Sequence, residues 1–385
     1  MKNLNYDFLY KDSLESYKHD LSENTRSYAI WKESNGQKFL EVYAPDYYTL
    51  GFLQGKQLAN EIKYFKGIIK LIGLRYIFKK CSYDKFLNLA KIYENNIPES
   101  LKVEMLGMAN AILDVSYRDI LLQNCFLDIL YGQIIPENKA EYLLGVELGC
   151  TSFGLINKND TMIGQNFDYP FFFKPSAYFI HLITPEFGEF FSFRLGGVLA
   201  MPIGVNRNIS VRVNVIKSNM KGTMKTPVAI RSRIGFEHAL NVEQFYNIFI
   251  KEKMTSSGNL ILSDNSKVIA LEMLPDFHVR RDIDQQVVRS NTYVSESLQN
   301  YLIDQEYSKL RQDYSEKKLN DLRASKDNAI SDLDLLSILS DSPIICRENP
   351  LKPMTLAFLT DKSFGLGTAK TNNVGMVPVT NGYSS

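Results

Sequence analysis

Gly149-Cys150-Thr151-Ser152-Phe153, followed by Gly164-Gln165-Asn166-Phe167-Asp168-Tyr169, is the stretch on which the reading of this chain turns. A thiol joined to glycine on its N-terminal side, at the start of an apparent strand, can become a new chain terminus. Scission of the Gly149–Cys150 bond would free an α-amine beside a nucleophilic sulfur. That amine can take the thiol proton, and its pKa of about 7.7–8.0 suits proton shuttling at neutral pH. A buried structural cysteine is the plainer reading of a lone thiol.

The chain changes character around this stretch. Before residue 150, apolar residues recur at three- and four-residue spacing over Leu50–Phe65, Ile68–Phe78, Tyr83–Glu94, Pro98–Leu113 and Tyr117–Tyr131, which predicts helices. Ser116 is placed to cap the last of them. Gly51 and Gly55 make a small face on the first, most simply for close helix packing. After residue 150, β-rich runs follow: Cys150–Asn157, Met162–Tyr169, Tyr178–Thr184, Glu189–Arg194, Ser210–Ile216, Leu260–Ser263, Val268–Met273 and Val287–Arg289. Lys158-Asn159-Asp160 suits a hairpin turn between the first two. Helices are expected from Pro227, capped by Thr226, toward Phe249, over Glu306–Asn320, and over Asp332–Leu339. A closing hairpin is expected from Thr355–Leu359 and Gly365–Ala369. Strands with helices grouped between them predict an α+β layered fold.

Composition narrows the function. Lys and Arg number 44 against 43 Asp and Glu, without a long block of one sign, which argues against a nucleic-acid partner held by a basic face. Ile62–Lys80 is the nearest approach to a membrane span, and five lysines and an arginine interrupt it. The Met1–Asp7 start lacks the apolar core of a secretory signal. The expectation is a soluble, cytoplasmic protein without a membrane span. The four cysteines, Cys81, Cys125, Cys150 and Cys346, form no CxxC pair, and the four histidines fall in no ligand spacing, so no metal site is expected. GxGxxG, P-loop and GxSxG motifs are absent, removing the usual anchors of nucleotide binding and serine hydrolysis.

Gly149-Cys150-Thr151-Ser152 with Gly164-Gln165-Asn166-Phe167-Asp168 resembles the acyl-coenzyme A:6-aminopenicillanic acid acyltransferase family, N-terminal-nucleophile hydrolases that cut themselves before a cysteine. Further islands are similar in order and spacing: Asp46–Gly55, Asp114–Asn124, Gly204-Val205-Asn206, Arg289–Thr292, Ile345-Cys346-Arg347 and Thr355–Asp361. The resemblance implies a four-layer αββα sandwich with a helical N-terminal leader. It also implies a precursor that splits at Gly149–Cys150 into a leader of residues 1–149 and a catalytic piece of residues 150–385. Cys150 is then the nucleophile and Asp168 the carboxylate that holds its ammonium. The Asn291 amide faces the oxyanion, and Asn214 is a weaker second donor toward substrate. Ser152, two residues on, shares a strand face with Cys150.

Departures bear on substrate. Lys352 stands near the position of the family's arginine and keeps the charge without the planar fork; Arg347 and Arg311 are alternatives. Leu274 precedes Pro275 where the family has serine, and Asn291 is followed by Thr292 rather than histidine. The leading expectation is a self-processing thiol amidase or acyltransferase for a linear N-acyl amide or acyl-thioester. It needs no cofactor beyond coenzyme A as a conceivable acyl donor, keeps its own leader as partner, and leaves a homo-oligomer open. A bile-salt hydrolase or penicillin V acylase is disfavoured by Gln165 and the long leader. A catalytically silent, uncleaved binding protein of the same fold is the other alternative.

Overall fold

The computed structural model describes residues 27–34, 37–74, 82–138, 149–157, 160–184, 188–303, 306–326, 330–346, 354–360, 368–371 and 374–377. Two strands open it, β1 (Tyr28–Ser34) and β2 (Gln37–Tyr43), neither expected as a strand pair from the apolar spacing. Helices α1 (Tyr47–Gln57), α2 (Ala59–Leu74), α3 (Tyr83–Glu94), α4 (Glu99–Asn110) and α5 (Tyr117–Ile129) follow, the last continuing as a π-helical turn over Leu130–Ile134. Then come β3 (Gly149–Asn157), β4 (Asp160–Tyr169), β5 (Ala177–Thr184), β6 (Gly188–Leu195), β7 (Gly204–Asn206) and β8 (Ser210–Val215). Helices α6 (Val228–His238) and α7 (Val242–Ile250) lead to β9 (Gly258–Ser263), β10 (Val268–Met273), β11 (His278–Ile283) and β12 (Gln286–Arg289). Helices α8 (Glu306–Ser325) and α9 (Asp332–Leu339) precede β13 (Met354–Thr360), β14 (Thr368–Thr371) and β15 (Val374–Val377).

The strands form two sheets, one of nine in the order β1-β2-β5-β6-β7-β8-β9-β10-β11, the other of six in the order β12-β3-β4-β13-β14-β15. Ile163 and Val287 of the smaller sheet meet Ile261, Val268 and Ala270 of the larger one in a dry layer between them. At Gly154 a Cβ would lie 2.8 Å from Val268 Cγ1, so the sheets approach too closely there for a side chain. On the outer face of the small sheet, Phe153, Leu155, Met162 and Val288 pack against Leu319 of α8 and Leu335, Leu336 and Leu339 of α9. On the outer face of the large sheet lie α1, α2, α6 and α7. The expected αββα sandwich is what forms.

Local chemistry explains the boundaries. Ser116 caps α5 in a box with Asp119, each side chain bonding the other's backbone nitrogen, as its sequence position suggested. The helices expected over Leu50–Phe65 and Ile68–Phe78 are divided differently. The chain breaks at Leu58 and α2 then runs through Gly67, whose missing side chain faces open space. The helix from Pro227 also breaks, at Ala239, and restarts with Asn241 accepting from Gln244 N–H. Thr226 does not cap it; its hydroxyl donates to Asn96 O and Glu252 Oε2. β13 pairs antiparallel with β14, but β14 is Thr368–Thr371 rather than the expected Gly365–Ala369; residues 361–367, which include the expected turn at Asp361-Lys362-Ser363, lie outside the described residues.

Residues before 149 are thus built into the sandwich. Strand β2 runs parallel to β5, with Glu41 opposite His181. The imidazole bridges two carboxylates, Nδ1 to Glu41 Oε2 at 3.0 Å and Nε2 to Glu189 Oε2 at 2.9 Å. Burial opposes the charged ring, but Glu189 and Glu41 outweigh it and raise the His181 pKa. The same contact, with Lys32 and Tyr28, holds Glu41 down at about 2 against burial. Helix α1 crosses α4 at glycines: a Cβ on Gly51 would stand 1.9 Å from Glu104 O.

Two outcomes follow from this seam. Gly51→Ala must push α1 from α4 and should cost about 3 kcal/mol of stability, read as a lowered denaturant midpoint. A midpoint unchanged within error would refute the close crossing. His181→Gln should cost most where His181 is charged and both glutamates are ionised. A raised imidazolium pKa means its stabilisation is complete below about 6.5 and lost as pH rises through the raised value. A depressed carboxylate pKa means the Glu41 contribution is complete above about 4.5 and lost as pH falls toward 2. The gap between wild type and variant should therefore peak between about pH 4.5 and 6.5 in urea melts.

Candidate functional site

Cys150 is the second residue of β3, 0% exposed, with Gly149 still joined to it inside the same strand. The alternation of β3 decides what each neighbour meets. Cys150 and Ser152 face the large sheet, as two-residue spacing requires: Ser152 Oγ accepts from Asn214 Nδ2 of β8 at 2.7 Å. Thr151 and Phe153 face the other way, toward α8 and α9, where Thr151 Oγ1 accepts from Arg311 at 2.9 Å. In β4, Gln165 donates inward to Val213 O and Asn166 outward to Leu339 O and Ile345 O. Alternation then puts Asp168 on the helical face, opposite Gly149 in the β3–β4 register and fully buried.

Asn291 closes the constellation from the loop after β12. Its Oδ1 accepts the Cys150 N–H at 2.6 Å and an Arg311 guanidinium N–H at 2.8 Å. Its Nδ2 donates to Val215 O at 2.6 Å. Two donors on one side and a carbonyl on the other fix which end of the amide is oxygen. The loop that carries it is held on both sides. Asn259 of β9 donates to Ser290 O and Thr292 O, and Gln312 of α8 accepts from Ser290 N–H. Glu272 of β10 accepts from the backbone N–H groups of Val294 and Ser295. The Asn291 oxygen thus faces the cysteine nitrogen, whereas the expected role turns its amide toward an oxyanion.

Arg311, named in the sequence only as an alternative cation, is 1% exposed and sits at the centre. One nitrogen donates to Cys150 O and Thr151 Oγ1, the other to Asn291 Oδ1 and Ser308 Oγ. Asn214 Nδ2 also bonds Arg289 O at 3.2 Å, so this amide positions Ser152 and the end of β12. Lys352 lies outside the described residues. Leu274 is buried against Ile216, Tyr293 and Leu298, an apolar site in which a serine hydroxyl would have to find a partner.

Burial pushes the Cys150 thiol up to about 12, and the Asp168 charge adds to this; Arg311, Asn291 and the Val215 backbone pull the other way. The thiol is therefore neutral while Gly149 remains attached. A cavity of about 50 Å³ is lined in part by Phe167, the residue paired with Cys150 across β3 and β4, and by Leu195, Val213, Val215, Met254 and Met273; Cys150 itself is not in its wall. Leu127 of α5 and Phe65 of α2 also reach it, so residues on both sides of position 150 form its wall. Among the described residues no cluster of three or more His, Cys, Asp or Glu could hold a metal, and no helix is long and apolar enough to cross a membrane.

A thiol with a pKa of about 12 is ionised in only about one molecule in 10⁴ at pH 8. On the species with an intact Gly149–Cys150 bond, alkylation of Cys150 by iodoacetamide at pH 8 should be at least about 10³-fold slower than for a free cysteine. Peptide mass spectrometry of a time course reads this directly. Labelling at the rate of a free thiol would overturn the electrostatics described here.

A family model described as acyl-coenzyme A:6-aminopenicillanic acid acyl-transferase matches residues 155–342. The matched span contains Asp168, Asn214, Asn291 and Arg311 and begins just after Cys150. No curated protein matches the chain. Among solved structures it is similar to a Caenorhabditis elegans N-acylethanolamine-hydrolyzing acid amidase ortholog, at 16% identity and a TM-score of 0.42, covering 54% of this chain and 92% of that one. The αββα layering rests on the two sheets and their helices rather than on that likeness. Over residues 155–342, just under half of its length, the chain is similar to the acyl-coenzyme A:6-aminopenicillanic acid acyltransferase family.

Proposed function

We propose that the chain is a self-processing amidohydrolase or acyltransferase in which Cys150, once terminal, cleaves or transfers the acyl group of a linear N-acyl amide. The observation that carries the reading is the hydrogen bond from Cys150 N–H to Asn291 Oδ1. It puts a buried acceptor on the nitrogen that scission would release. In the first reaction Cys150 Sγ attacks the Gly149 carbonyl carbon and the C–N bond breaks. Water then resolves the resulting thioester, leaving a Gly149 carboxylate and a Cys150 α-amine.

The α-amine changes the electrostatics of the thiol. An ammonium on the same residue favours thiolate, opposing the burial that otherwise keeps the thiol neutral. With a substrate, Sγ attacks the acyl carbonyl, the amine takes the thiol proton and hands it to the departing amine. Water resolves the second thioester to free acid, or an acceptor amine takes the acyl group. Asp168 and Ser152 are the residues assigned to hold the α-amine. Asn291 is assigned the oxyanion once its Nδ2 is released from Val215 O. Lys352, and Asn214 more weakly, are assigned to substrate. The apolar cavity suits a hydrocarbon acyl group. An acyl-coenzyme A thioester presents the same electrophile and fits the same scheme. The leader, residues 1–149, stays with the catalytic piece, residues 150–385, and we place the enzyme in the cytoplasm.

Intact mass spectrometry of wild type beside Cys150→Ala tests the scheme. Wild type should give two fragments whose masses locate the cut at Gly149–Cys150, and the variant a single chain without activity. N-acyl amino acids and acyl-thioesters of graded chain length, with product analysis for free acid against transferred acyl group, then separate hydrolase from transferase. An intact wild-type chain that turns over substrate, or activity surviving in Cys150→Ala, would sink the reading.

A further inference from the structure

We propose that Arg311 sets the pH at which this site works, by holding a fixed cation against the Asn291 carboxamide and the Cys150 carbonyl, next to the nitrogen released at Cys150. The inference rests on the reading of Cys150 as both nucleophile and base. Arg311 touches no reacting atom; it acts through Asn291 and the strand backbone and is a positioning residue.

The geometry is specific. Arg311 and the Cys150 nitrogen are bonded to one oxygen, Asn291 Oδ1, at 2.8 and 2.6 Å. The guanidinium is 1% exposed, so water screens it little. Its place is secured by Ser308 Oγ and Thr151 Oγ1 and by the face of the Tyr307 ring, whose centroid is 5.4 Å away. The planar fork spans Cys150 O and Asn291 Oδ1 at once, which an ammonium cannot do with the same geometry.

Charged groups lie on five elements that carry or flank the site, and Asp168 and Arg311 are the two whose charges bear on the Cys150 thiol. Asp168 lies on β4 in register with Gly149, and its charge raises the Cys150 thiol pKa where that of Arg311 lowers it. Arg289 of β12 donates to Val288 O, with Glu272 of β10 at 4.0 Å. Glu316 of α8 accepts from Gln312, and Arg212 of β8 donates to Gly204 O and Val211 O. Arg311 is the cation whose own hydrogen bonds include the acceptor of the Cys150 N–H.

The sign follows from like charges. A guanidinium beside an ammonium favours the neutral amine, so the base is available at lower pH. Beside a thiol it favours thiolate, the direction in which it already acts on Cys150. Removing the cation moves both ionisations upward. At roughly 5 Å and an effective dielectric of ~20, the displacement is on the order of two pH units.

The experiment compares Arg311→Gln and Arg311→Lys with wild type, each with its melting temperature as a fold check. The acid limb of kcat/KM against pH is measured on the cleaved enzyme with an N-acyl amide. Arg311→Gln should raise that limb by about one unit or more. Arg311→Lys should keep it within a few tenths of a unit of wild type while lowering kcat, because charge is kept and the fork is lost. Should Arg311→Gln fold but cleave too slowly to yield enzyme, the pH midpoint of its self-cleavage time course is read instead, with the same direction expected. Equal midpoints in all three proteins, or the lysine variant displaced as far as the glutamine one, overturn the proposal. Cys150→Ala in parallel keeps the cases apart: activity there defeats the nucleophile assignment, whereas unshifted limbs with an inert Cys150→Ala defeat only the role of Arg311.

Discussion

A single carboxamide oxygen, Asn291 Oδ1, receives both the Cys150 N–H and the Arg311 guanidinium, and the arrangement of the site depends on that sharing. The oxygen cannot turn away without leaving a buried cation and a buried backbone donor short of an acceptor, a loss worth a few kcal/mol. Its position is imposed from outside the site: β9 through Asn259, β10 through Glu272 and α8 through Gln312 all hold the loop that carries it. Both sheets and the outer helical layer therefore meet at one side chain.

The same crowding keeps the Cys150 thiol protonated, as the proposed self-processing scheme would need before scission. A thiol sealed from water beside the Asp168 carboxylate has every reason to keep its proton. The countervailing groups, Arg311, Asn291 and the Val215 backbone, are present but insufficient. Balance of this kind is sensitive to one added charge, and the only charge that backbone scission creates on Cys150 itself is the amine. Electrostatics and connectivity are in this way the same switch.

Much of this was legible in the sequence where the signal is local. The β-rich runs over Cys150–Asn157 and Met162–Tyr169 place β3 and β4 nearly to the residue, and Ser116 marks the start of α5. Cys150 and Ser152 share a face because strands alternate. Strands β1 and β2 pair with each other, Ser34 opposite Gln37, and escaped because the reading of apolar spacing starts only at Leu50; the further pairing of β2 with β5, some 140 residues away, leaves no trace in local pattern. Arg311 was equally hidden. Helix α8 reads EYSKLRQDYSEKKLNDLRAS, polar nearly throughout, so its buried stripe of Arg311, Gln312, Ser315 and Leu319 has no apolar periodicity. Its inward face is recognised by hydrogen bonds, which a hydropathy pattern does not record. The break expected between Phe65 and Ile68 is absent because Gly67, which looks like a breaker, sits within a continuous helix and faces open space.

The parallel pairing of β2 with β5 carries a further consequence for a chain cut at residue 149. In the intact polypeptide, bringing those strands together is loop closure within one molecule, with an entropic cost that grows only slowly with length. After the cut it becomes an encounter between two molecules, and recovery from unfolding then depends on concentration. The nicked form would persist through slow unfolding rather than ready reassembly. Maturation would trade a reversible fold for a kinetically trapped one.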